Sequence, residues 1–513
     1  MDLDYYKLTA LQKVGYKCKK LFGNFPQKFV GFWKRLGRKI ATFFINIYLN
    51  IKDILFAWWH GNGITKASYL VMGLGHVCRG QIVKGIAYML LEGAFIAYLV
   101  LFGGHYLGMF FQHFFTAGPI GFVETHESNV WDDDLGEYVK IAGDNSFHAI
   151  LYGVLTLCLI LFFVIVYLRS IRESAQLEED KIIGKVPNNF KRDVGEMLDS
   201  KFHITLLSLP LLGLFIFTVV PLITMILIAF TDYDAAHEVP QYLFNWVGFK
   251  NFGAILGGSD LGKTFWRVLG WTLIWAFFAT FTNYFGGMIL AMLINKKGVK
   301  LKKLYRTMFV ATIAVPQFVS LLIMSKMLDT GGGLMDSGGG IITQLIEKLF
   351  NYHLMFGLDI TTTRICIIVV NMWIGVPYSM LMCSGILMNI PQDLYESAKI
   401  DGSGKVRTFM KITLPYMLFV TGPYLITTFI GNINNFNIIY LLSGGGPGDL
   451  LKYSNGAQGT DLLITWLYKL SLGTNRDYKL ASVIGILVFI ISAVFSLLVY
   501  NRSSAVKKED DFQ

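Results

Sequence analysis

The fold is decided by the stretch RICIIVVNMWIGVPYSMLMCSGILM, residues 364–388, and by NIPQDLYESAKIDG, residues 389–402, which follows it directly. The first stretch holds a single charged residue, Arg364, at its start. A helix needs about 20 predominantly apolar residues to cross the hydrocarbon core of a bilayer, so this stretch predicts a membrane span. The second stretch is polar, has a proline near its start and ends on glycine, which predicts a short helix outside the membrane.

Seven other runs are also long and apolar enough to cross a membrane. The composition agrees, since 54% of the 513 residues are hydrophobic and only 16% are charged, against about a quarter charged in soluble domains. It excludes a disordered chain and a disulfide scaffold. The predicted fold class is therefore all-α, a polytopic transmembrane helical bundle. The predicted spans are 84–107, 147–168, 203–230, 265–294, 307–327, 364–388, 416–442 and 480–500.

The net charge of +10 indicates orientation in the membrane, not a nucleic-acid partner. With the N-terminus inside, the predicted internal segments carry 33 of the 45 Lys and Arg residues, and the external loops carry 8. Cytoplasmic loops have such an excess, so both termini are predicted to be cytoplasmic. The apolar segment 40–59 is a candidate for a ninth span. Because Lys52 and Asp53 interrupt it, an amphipathic helix at the inner interface is favoured.

These elements predict five regions along the chain. The cytoplasmic linker between the second and third spans has 7 acidic and 7 basic residues, which is typical of a solvated connector. The regions are a basic N-terminal region at 1–82, two transmembrane helices with a short external loop at 83–168, the linker at 169–201, a six-helix core at 202–502 that includes the loop 389–415, and a tail at 503–513.

Residues 257–264 match the phosphate-loop pattern, but their context argues against phosphate binding. The pattern requires a strand before the loop and a soluble helix after it, whereas a predicted membrane span follows here, on the external side. The acidic residues of the external loop 108–146 lack the spacing of a calcium-binding loop, which favours a solvated surface. The 5 cysteines show no pairing or metal-binding pattern. The sequence therefore predicts no catalytic, metal or cofactor site.

The loop after the sixth span is rich in residues that begin and end helices. Pro391 suits the first position of a helix, Asp393 complements the helix dipole, and Gly402 suits the left-handed residue that ends a helix. Ser403 is then predicted to cap a second helix, and Pro415 to mark the entry to the seventh span. We expect a short helix on the cytoplasmic membrane face, joined to the next helix by a tight turn.

In the same loop, Glu396-Ser397-Ala398 is followed at fixed spacing by Gly402 and by Ile412-x-Leu414-Pro415. This arrangement resembles the signature E-A-A-x3-G-x9-I-x-L-P of bacterial ABC importer permeases, with Ser for the middle Ala. The resemblance implies a type I importer fold with a MetI-like core. It also implies a coupling helix that docks on a separate ATP-binding subunit. The residues it assigns to this coupling are Tyr395, Glu396, Ser397, Ala398, Gly402 and Pro415.

Two more stretches, 371–378 and 432–436, with Gly444-Gly445-Gly446-Pro447 after them, resemble the maltose/maltodextrin permeases of the MalF type. The large external domain of some members has no counterpart here, and Ile313 replaces a sugar-contacting tyrosine. The resemblance implies a sugar site midway through the membrane. Its residues would be Asn371, Ile374, Gly375, Tyr378, Thr428, Asn432 and Asn435.

The residues themselves favour the same kind of site. Asn432 and Asn435 lie three residues apart on one helical face, with Thr428 one turn earlier. Amides and hydroxyls in an apolar helix are costly unless they have partners. Sugar hydroxyls are suitable partners, and Trp373 or Tyr378 could stack on a sugar ring. The alternative to a sugar site is that these side chains only form hydrogen bonds between helices.

The predicted function is that of a non-catalytic permease subunit of an ATP-driven importer of maltose and malto-oligosaccharides in the bacterial cell membrane. The resemblance implies as partners a second homologous permease of the MalG type, an ATPase dimer of the MalK type that holds ATP and magnesium, and an extracellular sugar-binding protein, beside membrane lipid. No cofactor is predicted in this chain. The alternatives are a permease for another neutral oligosaccharide, an ion-driven transporter, for which Glu92 is a lone mid-span carboxylate, and a membrane scaffold.

Overall fold

The computed structural model describes residues 55–122, 128–132, 136–141, 144–238, 243–296, 298–331, 339–473 and 476–500, with a few single positions between 37 and 52. Nearly all of the described elements are helical, which confirms the predicted all-α class. Most of the predicted interfacial segment 40–59 and the whole tail 503–513 lie outside the described residues.

Seven of the described helices are long and apolar enough to cross a membrane, and one bent pair of helices brings the number to eight. α3, α6 and α14 each contain one π-helical turn. In chain order the elements are α1 Gly63–Ala67, α2 Leu74–Val77, α3 Ile82–Phe111, β1 Ser128–Asp132, β2 Glu137–Ile141, α4 Ser146–Ile182, α5 Phe190–Leu198, α6 Phe202–Ile228, α7 Lys250–Leu256, α8 Asp260–Asn295, α9 Lys302–Ala314, α10 Gln317–Met327, α11 Ile341–Phe350, α12 Ile360–Met388, α13 Gln392–Ile400, α14 Lys405–Ile433, α15 Phe436–Leu442, α16 Leu463–Leu472 and α17 Tyr478–Tyr500.

The predicted fifth span, 307–327, is a pair of helices and not one continuous helix. α9 and α10 meet at an angle of 89°. Val315 and Pro316 between them have extended ψ angles of 125° and 133°. Proline has no N–H with which to continue a helix, and it disfavours the helical conformation of the residue before it. The break therefore follows from Pro316.

The predicted seventh span, 416–442, is not one continuous helix. α14 begins before it, at Lys405, and runs through Pro415 without a break. α14 ends at Ile433, and Asn435 begins α15 by accepting the backbone N–H of Ile438 at 3.4 Å. Asparagine is a favoured N-cap residue because its side chain satisfies an unpaired N–H of the first turn. Hydropathy alone does not detect such a cap.

The segment 108–146, which is predicted to be an external loop, contains a β-hairpin that the sequence did not indicate. β1 and β2 pair antiparallel, with Ser128 opposite Ile141 and Asp132 opposite Glu137. The hairpin is small and leaves the fold class unchanged.

Contacts divide the chain into two compact units, the first formed by residues 1–107 and 152–218 and the second by residues 108–151 and 219–513. In the first unit, Glu173 of α4 pairs with Lys84 of α3 at 2.8 Å and with Arg169 at 2.9 Å. Glu92 of α3, the mid-span carboxylate, accepts the backbone N–H of Met72 at 2.8 Å. Glu92 therefore has a structural partner within its own unit.

In the second unit, α8 is the central helix. A Cβ added to Gly287 would lie 2.7 Å from a backbone nitrogen of α12, so the missing side chain allows the two helices to pack closely. Trp275 is fully buried, and its indole N–H donates to the carbonyl oxygen of Asn432 in α14 at 3.1 Å. The hydroxyls of Tyr284 and Thr421 make a second bond between α8 and α14, at 2.8 Å. These contacts fix the positions of the helices that carry the predicted sugar residues.

The loop between α15 and α16 is held by a buried carboxylate. The side chain of Asp461 is 0% exposed and pairs with Lys469 at 2.8 Å. Asp461 also accepts the backbone N–H of Gln458 at 2.8 Å and the hydroxyl of Thr465 at 2.9 Å. Burial raises the pKa of Asp461 despite the nearby ammonium group.

We expect Asp461→Ala to lower the free energy of unfolding by about 3 kcal/mol, because Lys469 would lose its counter-charge in a largely buried position. Thermal unfolding of the detergent-solubilised protein measures the loss. Asp449→Ala is the matched control, because it removes an ion pair with Lys452, whose side chain is 61% exposed, and such pairs contribute little. Equal losses in the two variants would contradict the role of Asp461.

Candidate functional site

A cavity of about 380 Å³ lies in the second unit, between α8, the α9–α10 break, α12 and α14. Its volume falls in the range of about 300–1,000 Å³ that is typical of small-molecule sites. The break at Pro316 brings Ile313 and Gln317 into the wall. No Asp, Glu, Lys or Arg occurs among the wall residues that the structure describes. The cavity is therefore suited to an uncharged, polar ligand.

All seven residues of the predicted sugar site lie in the wall of this one cavity. α12 contributes four of them, α14 contributes two, and the last precedes α15 as its cap. The structure thus brings them together, and sugar binding by them stays a prediction. They are Asn371, Ile374, Gly375, Tyr378, Thr428, Asn432 and Asn435.

Three of the predicted amides already have protein partners. The Nδ2 of Asn432 donates to the hydroxyl of Thr280 at 3.0 Å, and its Oδ1 accepts from Asn435 at 3.4 Å. The Nδ2 of Asn371 donates to the carbonyl oxygen of Ala279 at 3.4 Å. Hydrogen bonds between helices therefore form, as the alternative interpretation required. They do not use the full capacity of an amide, which has two donor hydrogens and two acceptor lone pairs.

Aromatic rings supply the apolar part of the wall. The side chains of Trp373 and Tyr378 in α12 are 52% and 56% exposed. Aromatic rings combine an apolar face with a polar edge. The two rings offer partly free faces on which a sugar ring could stack.

Sequence reasoning missed several polar wall residues, although one pattern was visible. Thr280 and Asn283 lie three residues apart on α8, the same spacing by which the sequence indicated Asn432 and Asn435. The others are Tyr284, Thr312, Gln317, Ser320, Ser379 and Tyr424.

The predicted coupling segment forms α13 and a tight turn. α13 begins one residue after Pro391, so the proline is the cap and not the first helical residue. Gly402 has a φ of +68°, the left-handed conformation that the sequence predicted. Ser403 does not cap the next helix as expected, because the turn places Gly404 at the N-cap of α14.

Most residues of α13 are exposed in the described part of the chain, and the helix contacts α14. The hydroxyls of Tyr395 and Thr413 lie 3.0 Å apart and bond the two helices. Leu394 and Ile400 are 44% and 87% exposed, and Glu396, one helical turn before Ile400, is exposed as well. Apolar side chains exposed together with a charge are typical of a surface that docks on another protein.

We expect Gly402→Ala to destabilise the α13–α14 turn by about 1–2 kcal/mol, because a side chain disfavours the left-handed conformation. Cleavage of the native protein by trypsin at Lys399 and Lys405 measures this, and it should become roughly tenfold faster. Gly404→Ala is the matched control, since Gly404 has a φ of −71° and no atom within 4 Å of an added Cβ, like Gly402. Unchanged cleavage of the Gly402 variant would contradict the expectation.

The stretch before α8 that matches the phosphate-loop pattern forms an ordinary helix start. Ser259 caps α8 by accepting the N–H of Gly262 at 3.2 Å. Lys263 pairs with Asp260 at 3.0 Å, and the hydroxyl of Thr264 donates to the Asp260 carbonyl oxygen at 2.8 Å. The Lys and Thr that a phosphate loop would use are therefore engaged within the first turns of the helix.

Known proteins resemble this chain over most of its length. Residues 283–505 match the family described as "Binding-protein-dependent transport system inner membrane component". The chain is 33% identical over 450 residues to the maltodextrin transport system permease protein MdxF of Bacillus subtilis, which covers 86% of this chain and 95% of that protein. It is 31% identical over 442 residues to the galactooligosaccharides transport system permease protein GanP of the same organism, covering 86% of this chain and 97% of that protein.

A third relative, the maltose/maltodextrin transport system permease protein MalF of Escherichia coli, is 35% identical over 265 residues, which are 51% of this chain and 50% of that protein. The family match at residues 283–505 includes α13 and every wall residue of the cavity except Thr280. The chain therefore belongs to the family of binding-protein-dependent transport system inner membrane components, and it is a multi-pass, non-catalytic permease subunit of an ABC importer.

Proposed function

We propose that the cargo is a maltodextrin, bound in the cavity between α8, α10, α12 and α14. The observation that carries this proposal is the gathering of the seven family-implied sugar residues in one wall that lacks charged side chains. Amides and hydroxyls both donate and accept hydrogen bonds, as sugar hydroxyls do. The relatives named for maltodextrin and maltose support the same cargo.

A galacto-oligosaccharide is the second candidate, because the permease named for that cargo is 31% identical to this chain. Both cargoes are neutral and rich in hydroxyls, so the uncharged wall supports either one. A phosphorylated or acidic sugar is less well supported, because its charge would call for Arg or Lys in the wall.

We also propose the partners and the orientation that the family pattern implies. The chain pairs with a second homologous permease of the MalG type and receives sugar from an extracellular binding protein. α13 docks on one subunit of an ATPase dimer of the MalK type, which holds ATP and magnesium. Both termini lie in the cytoplasm, as the excess of Lys and Arg in the internal segments favours.

The bond between Tyr395 and Thr413 supports a route for coupling. It joins α13 to α14, and α14 runs for about 40 Å from Lys405 to the cavity. A displacement of α13 by the ATPases would reach Thr428 and Asn432 through this one helix. The cavity would then open alternately to the two sides of the membrane.

An ion-driven mechanism has less support. The described wall of the cavity holds no carboxylate that could carry a proton or sodium ion. The mid-span Glu92 is hydrogen-bonded to the backbone of Met72.

Reconstitution in liposomes with the proposed partner permease, ATPase and sugar-binding protein tests the proposal. We expect ATP-dependent uptake of labelled maltotriose and none without ATP. Uptake that persists without ATP would overturn the coupling. Uptake of a galacto-oligosaccharide in place of maltotriose would establish the second candidate.

A further inference from the structure

Asn283 of α8 is a wall residue of the cavity that the family pattern does not assign. Its side-chain oxygen Oδ1 is buried and has no hydrogen-bond partner among the described residues. Buried amide oxygens almost always have a partner, because leaving one unpaired is costly. An unpaired acceptor in the wall of a cargo cavity points to a donor on the cargo.

The other asparagines of the wall differ from Asn283 in this respect. Asn371, Asn432 and Asn435 each donate to a protein oxygen at 3.0–3.4 Å. These bonds hold α8, α12 and α14 together, so part of the capacity of these amides serves the fold. No such bond holds Asn283 in the described part of the chain, and its buried oxygen has no protein donor there.

Gly375 of α12 lies against the amide of Asn283. A Cβ added at Gly375 would lie 2.6 Å from the Cγ of Asn283 and would collide with its amide nitrogen. The absence of a side chain at Gly375 therefore makes the space that the amide occupies. Any larger residue there would displace Asn283 from its place in the wall.

We propose that Asn283 binds the cargo by accepting a hydrogen bond from a sugar hydroxyl through Oδ1, and that Gly375 is the positioning residue that keeps this amide in place. The assignment rests on the proposed function, because it needs a hydroxyl-bearing neutral cargo. A site built to bond a hydroxyl discriminates strongly against an analogue that lacks it. Asn283 is therefore a specificity-determining residue.

The first test is Asn283→Leu in the full reconstituted complex, assayed by uptake of maltotriose and of maltotrioses in which single hydroxyls are replaced by fluorine. Fluorine cannot donate a hydrogen bond. We expect the KM for maltotriose to rise roughly tenfold with little change in maximal rate. The unsubstituted protein should take up one of the fluorinated sugars poorly, because that sugar lacks the hydroxyl that Asn283 binds. Asn283→Leu should not lower the uptake of that sugar any further.

Thr282→Val is the matched control for this test. Thr282 is the neighbour of Asn283 on α8, but its hydroxyl donates to the carbonyl oxygen of Phe278 and it does not line the cavity. Its KM should equal that of the unsubstituted protein. Co-purification of the partner subunits shows that each variant assembles.

The second test addresses Gly375. Gly375→Ala should weaken uptake about as much as Asn283→Ala, and the double variant should lose no more than either single one, because both changes remove the same contact. Additive losses would overturn the positioning role. An unchanged KM for Asn283→Leu, or an equal loss on every fluorinated sugar, would overturn the contact. If the unsubstituted complex takes up no neutral oligosaccharide, the proposed function fails, and the assignment of Asn283 fails with it.

Discussion

Glu396→Lys is expected to reduce ATP-dependent sugar uptake by roughly 30-fold or more. Glu396 is exposed on α13, one helical turn before the exposed side chain of Ile400. Under the proposed coupling this surface docks on an ATPase subunit. Reversing a charge in such an interface costs about 2–5 kcal/mol or more, which corresponds to a factor of roughly 30 or above. α13 itself should remain folded, because the change lies on its exposed surface.

The measurement is maltotriose uptake in liposomes, together with the amount of ATPase subunit that co-purifies with the permease. Glu179→Lys is the matched control, because Glu179 is an exposed carboxylate near the end of α4, in the predicted cytoplasmic linker. It should leave uptake and co-purification unchanged. Full uptake by the Glu396 variant would remove α13 from the coupling route.

Asn432→Ala is expected to lower the efficiency of sugar uptake by roughly 100-fold. The change removes the bond to Thr280 at 3.0 Å and the acceptor for Asn435 at 3.4 Å, together with the proposed sugar contact. Loss of these interactions should raise the free-energy barrier to sugar uptake by about 3 kcal/mol. Assembly should survive, because Trp275 bonds the backbone oxygen of Asn432, which the change retains.

Uptake kinetics measure the loss, and co-purification of the partner subunits reports assembly. Asn434→Ala is the matched control. The amide of Asn434 is exposed, donates within α14 to the carbonyl oxygen of Ile430 at 3.3 Å, and does not line the cavity. It should behave like the unsubstituted protein. Similar losses in both variants would show that the effect of Asn432→Ala does not arise in the cavity.

Local sequence was sufficient to predict the short helix α13 and the turn after it. Pro391, Asp393 and Gly402 act within one or two helical turns, and the structure has the short helix and the left-handed glycine where these residues indicate them. The errors are also local and small. They concern one residue at the start of α13 and the cap of α14, where turn geometry decides between Ser403 and Gly404.

The broken helices were not predicted, because a hydropathy window averages over the residues that end a helix. Pro316 and Asn435 interrupt runs that remain apolar on average. Both residues also lie in the wall of the cavity. A break in a membrane helix exposes polar groups and changes the direction of the chain, so it supplies a binding surface as well as a turn.

By itself the sequence determined the membrane class and the family, since these depend on composition and on motifs that are contiguous along the chain. The orientation that its charges favour stays a prediction. Only the tertiary structure showed that four segments form one uncharged cavity, that Glu92 is bonded, and that Gly375 makes room for Asn283. These facts depend on helix packing between residues up to about 150 positions apart, for which neither periodicity nor spacing contains information.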